Sequence, residues 1–127
     1  VAAGSPVWLS VARAVVGGRV GDIGNAVQRA VERDGFSVVR ALTGHGIGGN
    51  VHEEPDIPNF GKPGKGPRLR AGMVLAVEPM VNAGGYEVKM LGDGWTVVTQ
   101  DASLSAHYEN TIAVTEEGEP IILTLAE

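Results

Sequence analysis

The chain has no cysteine among its 127 residues. No disulfide framework is therefore available, and any metal must be held by nitrogen and oxygen donors. That pattern suits a cytoplasmic protein, which is the location expected here. There is no run of about 18 apolar residues, so no transmembrane helix and no membrane partner are expected. A basic start followed by a compact apolar stretch is missing too, and with it any visible signal peptide. Positive charge is scarce: 10 Lys and Arg stand against 15 Asp and Glu, a net charge of −5. With a pI near 5.1, this argues against non-specific nucleic-acid binding. The one basic cluster, Lys62, Lys65, Arg68 and Arg70, shares a Gly/Pro-rich stretch with Glu53, Glu54 and Asp56. It reads as a solvated loop. An initiator methionine is lacking, since the chain starts Val-Ala-Ala-Gly, and a fragment or processed product is the expectation.

What is present describes one globular domain, 43% hydrophobic and 20% charged. Residues 5–17 are predicted to be helical, because Val7, Trp8, Val11, Ala12 and Val15 recur at helical spacing after Ser5-Pro6, a cap followed by an N1 proline. A second helix is predicted over about 21–34, with Ile23, Val27, Ala30 and Val31 on one face and Gly35 at its C-cap. Residues 36–42 read as a strand. Thr43 to Gly49 is glycine-rich, and 53–70 holds four prolines without periodicity, so a long irregular loop is expected there, of the kind that is usually functional. Strands follow at 73–78, about 86–91, 95–99, 107–115 and 119–124, separated by turn signals. Two helices before a run of antiparallel strands means an α+β fold.

Three residues stand out as costly. Alternation along 107–115 puts His107, Glu109, Thr111 and Ala113 on one face, and a carboxylate in the middle of such a strand needs compensation if buried. The apolar strand 73–77 ends at Glu78-Pro79, since proline donates no ladder hydrogen bond. His45 lies within Gly44-His45-Gly46-Ile47-Gly48, where the glycines permit close approach and leave the imidazole open. His52 follows, just before Glu53-Glu54-Pro55. One histidine and two carboxylates suit Mn, Fe, Co or Zn and leave room for a water that the metal activates as nucleophile. His52, outside that set, could polarise a substrate carbonyl. Bland alternatives stand beside each reading. Glu109 could face solvent, Glu78 could merely end a strand, and His45 could be structural. A phosphate-cradling glycine loop fits poorly, because residues 50–59 (NVHEEPDIPN) cannot supply the helix it needs.

Whole strings sharpen the choice. GFSVVRALTGHGIG (35–48), GHGIGGNVHEEP (44–55), GMVLAVEPMVNAG (72–84) and DGWTVVTQDASLSAHYENTIAVT (93–115) together resemble the bacterial type I methionine aminopeptidases, over essentially the whole chain. GHGIG and HEEP are shared with prolidase and aminopeptidase P. EPMVNAG, Gly94-Trp95-Thr96 and SLSAHYENT are more particular, which disfavours a prolidase-like enzyme.

The resemblance implies a pita-bread fold and removal of the N-terminal methionine from nascent proteins. It also implies a site of two divalent metals held by two aspartates, one histidine and two glutamates. By motif His45 matches the histidine ligand, Glu78 the first glutamate and the candidate proton shuttle, and Glu109 the glutamate that bridges both metals. His52 matches a non-ligand histidine near the scissile bond, and Val51 and Trp95 match positions lining the methionine pocket. Family members often carry a larger aromatic residue where Val51 stands, so the pocket wall is expected to differ. His107 could lie behind the ligands or at the pocket rim.

The whole of 1–127 resembles only the C-terminal half of the family's catalytic domain, and both aspartate ligands belong to the other half. Asp93 and Asp101 lie in strings matched to other parts of the pattern and cannot replace them. The expectation is that the chain alone binds metal weakly and is inactive. In the family the two halves share one sheet, so a strand edge and an apolar surface are expected to be exposed, with Trp8, Val11 and Val15 losing part of their cover. A missing N-terminal half, on the same or another chain, or a self-associated copy would supply it. The competing reading is a non-catalytic pita-bread half acting as a binding or assembly module.

Overall fold

The computed structural model describes residues 6–125, so the Ser5 cap lies outside the described residues. Helix α1 covers Pro6–Val11 and is shorter than the apolar spacing predicts. After Val11 the amides of Arg13 and Ala14 bond back only three residues, to Ser10 and Val11, the tighter geometry of a helix that is ending. This turn buries Ala14, and the chain then reverses at Gly17 with a φ of 88°. Val15 thus belongs to the turn. Val11 does not lack cover: it is 1% exposed, within the core of this chain, while Trp8 and Val15 are half-buried.

Helix α2, Val20–Arg33, matches its predicted span, and Ile23, Val27, Ala30 and Val31 are all buried. Asp22 accepts from the Arg19 amide at its start and from the Gly64 amide, which ties the helix to the loop before residue 70. The chain leaves α2 through Gly35 at φ 83°, a left-handed conformation that costs glycine little.

Among the described residues ten strands follow, and every pairing between them is antiparallel. They are β1 (Ser37–Val38), β2 (Gly44–Ile47), β3 (Glu53–Ile57), β4 (Val74–Val77), β5 (Met80–Asn82), β6 (Val88–Met90), β7 (Val97–Thr99), β8 (Ser105–His107), β9 (Asn110–Ala113) and β10 (Ile121–Ile122). A five-stranded sheet has the order β10-β9-β4-β2-β3, a three-stranded sheet β1-β5-β8, and β6-β7 is a separate hairpin. Helix α2 spans the two larger sheets. Its start joins the main core of Val11, Val20, Ile23, Ile57, Leu69, Leu75, Val77 and Ile112, while Val27 and Val31 pack with Val38 and Val81. Among the described residues no helix is long and apolar enough to cross a membrane.

Four sequence expectations change. The strand expected over 36–42 shrinks to Ser37–Val38. The glycine-rich segment is itself strand β2, whose glycines serve close packing: a Cβ at Gly44 would strike the Ala76 carbonyl, and one at Gly46 the Glu54 carbonyl. The expected loop from 53 begins as a strand. Because β3 is an edge strand and Pro55 falls at a register shift, no ladder N–H is needed there. Finally, 107–115 is two strands in two sheets, interrupted at Tyr108-Glu109. Its alternation holds only past the break, where Asn110, Ile112 and Val114 are buried.

Candidate metal centre

The site is built on a seam between sheets. β4 pairs with β9 as far as Val77↔Asn110, and β5 pairs with β8 from Met80↔His107 onward. Between these ladders both segments leave strand conformation for two residues, Glu78-Pro79 on one side and Tyr108-Glu109 on the other. The Pro79 carbonyl accepts from the Tyr108 amide at 3.2 Å, which keeps the two breaks facing each other. Each break frees one carboxylate. β2 lies beside β4 and places His45 opposite Ala76, next to the same seam.

Ligand atoms of His45, Glu78 and Glu109 all fall within 4.8 Å of one another. His45 Nδ1 lies 2.9 Å from the Gly46 carbonyl, which can only accept, so Nδ1 carries the hydrogen. Nε2 is left facing Glu78 Oε1, 3.2 Å away. A nitrogen and a carboxylate oxygen at that separation can share a proton or ligate one metal ion. The Glu78 side chain is only 13% exposed, and among the described residues its ion-pair contacts are two histidines, His45 and His107, with no lysine or arginine. Such a carboxylate is costly without compensation, and an imidazole with two carboxylates is a donor set that fits a divalent metal. Glu109, by contrast, is exposed and at the seam: it lies in the break and not in mid-strand, and it faces solvent while its carboxylate still joins the cluster.

His52 joins the group from the connection between β2 and β3. Its ring centroid is 3.9 Å from that of His45, tilted by 37°, and with Thr43, Glu53, Glu54 and Asp56 it lines a pocket of about 350 Å³. Val51, beside it, is 71% exposed, and Trp95, in the turn between β6 and β7, is 85% exposed. A larger cavity of about 730 Å³ lies between the β6-β7 hairpin and the three-stranded sheet, with Val39, Leu42, Met80, Leu91 and Val97 on its walls and His107 at its margin. Neither Val51 nor Trp95 lines it.

Sequence reasoning missed this cavity, whose walls come from segments far apart along the chain. It also missed Asn59, fully buried after β3, whose Nδ2 donates to the Glu78 carbonyl at 3.3 Å. Asn59 had no motif of its own to signal it.

Asp93 and Asp101 do different work. Asp93 accepts from the Thr96 hydroxyl and from the Trp95 and Thr96 amides. The Thr96 hydroxyl, followed by those amides, holds its carboxyl below the usual range. The Ser103 hydroxyl and then the Gly85 and Ser103 amides lower Asp101 to about 2. Both aspartates build turns.

Comparison with known proteins places this geometry. The description of Metallopeptidase family M24 matches residues 8–116. A methionine aminopeptidase from Clostridium perfringens is 63% identical over 115 residues, 91% of this chain and 46% of that protein. Methionine aminopeptidase 1 of Bacillus subtilis is 57% identical over 106 residues, 84% of this chain and 43% of the relative. The crystal structure of methionine aminopeptidase from Rickettsia prowazekii superposes with a TM-score of 0.91 at 46% identity, covering 94% of this chain and 48% of that one. Prolidase from Pyrococcus furiosus, at 20% identity and a TM-score of 0.67, shares the fold alone. The chain thus spans just under half the length of the curated relatives it matches. Its α+β architecture is that of the pita-bread enzymes, and the chain belongs to metallopeptidase family M24.

Proposed function

We propose that residues 1–127 form the C-terminal half of a methionine aminopeptidase catalytic domain, which removes the N-terminal methionine from peptides and nascent proteins in the cytoplasm. The observation that carries this reading is the convergence of His45, Glu78 and Glu109 at the seam, in a chain 63% identical to a methionine aminopeptidase. These three residues would hold a divalent ion, and Glu109 would be shared with a second. Co, Mn, Fe and Zn all tolerate such donors. The ion, when bound, supplies Lewis acidity that activates a water and polarises the substrate carbonyl.

The chain's own side chains do the rest. His52 lies beside His45 and can donate a hydrogen bond to the oxyanion that develops as the carbonyl is attacked. Glu78 accepts a proton from the attacking water and returns it to the leaving amine. Val51 and Trp95 supply apolar contacts for the methionine side chain. Both are exposed in the described chain, as expected of walls completed by another segment. Two aspartates would come from outside these 127 residues, on a missing N-terminal half; a self-associated copy would cover exposed surface without supplying them.

The test is methionine release from a Met-Gly peptide by the purified 127-residue chain with added Co(II) or Mn(II). No turnover is expected from the chain alone. Clean turnover without a partner would contradict the proposed division of the site.

A further inference from the structure

Glu78 is held at more places than a metal ligand requires. Its backbone carbonyl accepts from the buried Asn59 Nδ2, and Oε1 lies 3.2 Å from His45 Nε2. Oε2 is 3.2 Å from Nε2 of His107, which arrives from β8 on the far side of the seam. With the backbone fixed, the orientation of the carboxylate still depends on its side-chain torsions, and only a contact at each oxygen sets them. His45 takes one. His107 takes the other.

We propose that His107 is a positioning residue that orients the Glu78 carboxylate for metal binding. This rests on the reading of His45, Glu78 and Glu109 as ligands. A carboxylate only accepts, so the hydrogen in this contact belongs to His107 Nε2, and the imidazole can donate it whether neutral or protonated. Its effect therefore needs no change in charge. Residues that donate to ligating carboxylates fix ligand orientation, and their loss weakens metal affinity by roughly 10–100-fold. His107 is also partly exposed and lines the apolar cavity, so it connects the cavity wall to the ligand cluster. Glu109 cannot take this part. It lies two residues on, within the break in the strand, and contributes its own carboxylate to the cluster.

The probe is Co(II) alone, titrated to millimolar concentration into the chain and followed by the paramagnetically shifted imidazole proton signals, with thermal melting measured in parallel. In His107→Leu, which keeps apolar bulk, binding should weaken by about tenfold or more with the melting temperature unchanged. In His107→Gln, whose amide donates from a similar reach, affinity should return close to that of the unsubstituted chain with the same shifted signals. Unaltered binding by His107→Leu would overturn the positioning role and leave the ligand reading intact. Loss of a shifted imidazole set in His107→Gln would overturn it too, by making His107 a ligand. If the unsubstituted chain binds no Co(II) even at millimolar concentration, the ligand reading falls and the proposal with it.

Discussion

Glu78 and Glu109 at the seam and Asp93 and Asp101 at the turns around the β6-β7 hairpin are all carboxylates near strand ends, yet their surroundings differ in kind. The aspartates sit in water and are filled by hydroxyl and amide donors from residues two or three positions away and, for Asp101, from the Gly85 amide on the other side of the β6-β7 hairpin. Those bonds lower their pKa values and consume their acceptor capacity. Glu78 is nearly enclosed and meets the Nε2 atoms of two imidazoles. The difference separates carboxylates that build the chain from those left available to a cation. It also explains why Asp93 and Asp101 do not complete the site.

The strongest way to break this comparison is Glu78→Ala. Divalent-ion affinity, read by Co(II) or Mn(II) titration, should fall by more than the roughly 10–100-fold expected of a supporting residue, while the melt is little affected. Asp101→Asn should leave ion affinity untouched. A loss of binding in that variant would erase the distinction. Next in size is Gly44→Ala, because the added methyl meets the Ala76 carbonyl across β2 and β4. A cost of about 1–3 kcal/mol is expected from denaturant unfolding, accompanied by weaker ion binding as His45 shifts.

The turn carboxylates sharpen the comparison through pH. Asp101 is lowered from an ordinary 3.8 to about 2, so its contribution to stability is complete above the unfolded-state pKa. It is lost as pH falls from about 3.8 toward 2. The melting-temperature gap between the chain and Asp101→Asn should therefore be steady near neutrality and close across that acid window. A gap that widens on acidification would contradict the assignment. Smallest of all is Trp95→Ala: so exposed a side chain should change stability by no more than about 0.5 kcal/mol, leaving any effect to substrate affinity in the completed enzyme.

The parts legible in the sequence are those whose signal is local. Helix α2 announces itself by an apolar face and a terminal glycine, and β4 by an apolar run that proline stops. His45 and Glu78 stood out because glycines or a proline flank them. The seam was hidden, since His107 to Val114 alternates without interruption in sequence although it passes from one sheet to another. Proline disguised β3, because nothing in the sequence marks an edge strand. α1 ended early where its amides shortened their reach, a choice made by the packing of Ala14. Asn59 and the apolar cavity are tertiary products and have no local signature.

The most direct measurement is a crystal structure of the chain soaked with Zn(II), with anomalous difference maps that locate the ion. The account predicts a peak at about 2.0–2.2 Å from His45 Nε2 and from the carboxylates of Glu78 and Glu109. A peak at Asp93 or Asp101 with the seam empty would contradict it.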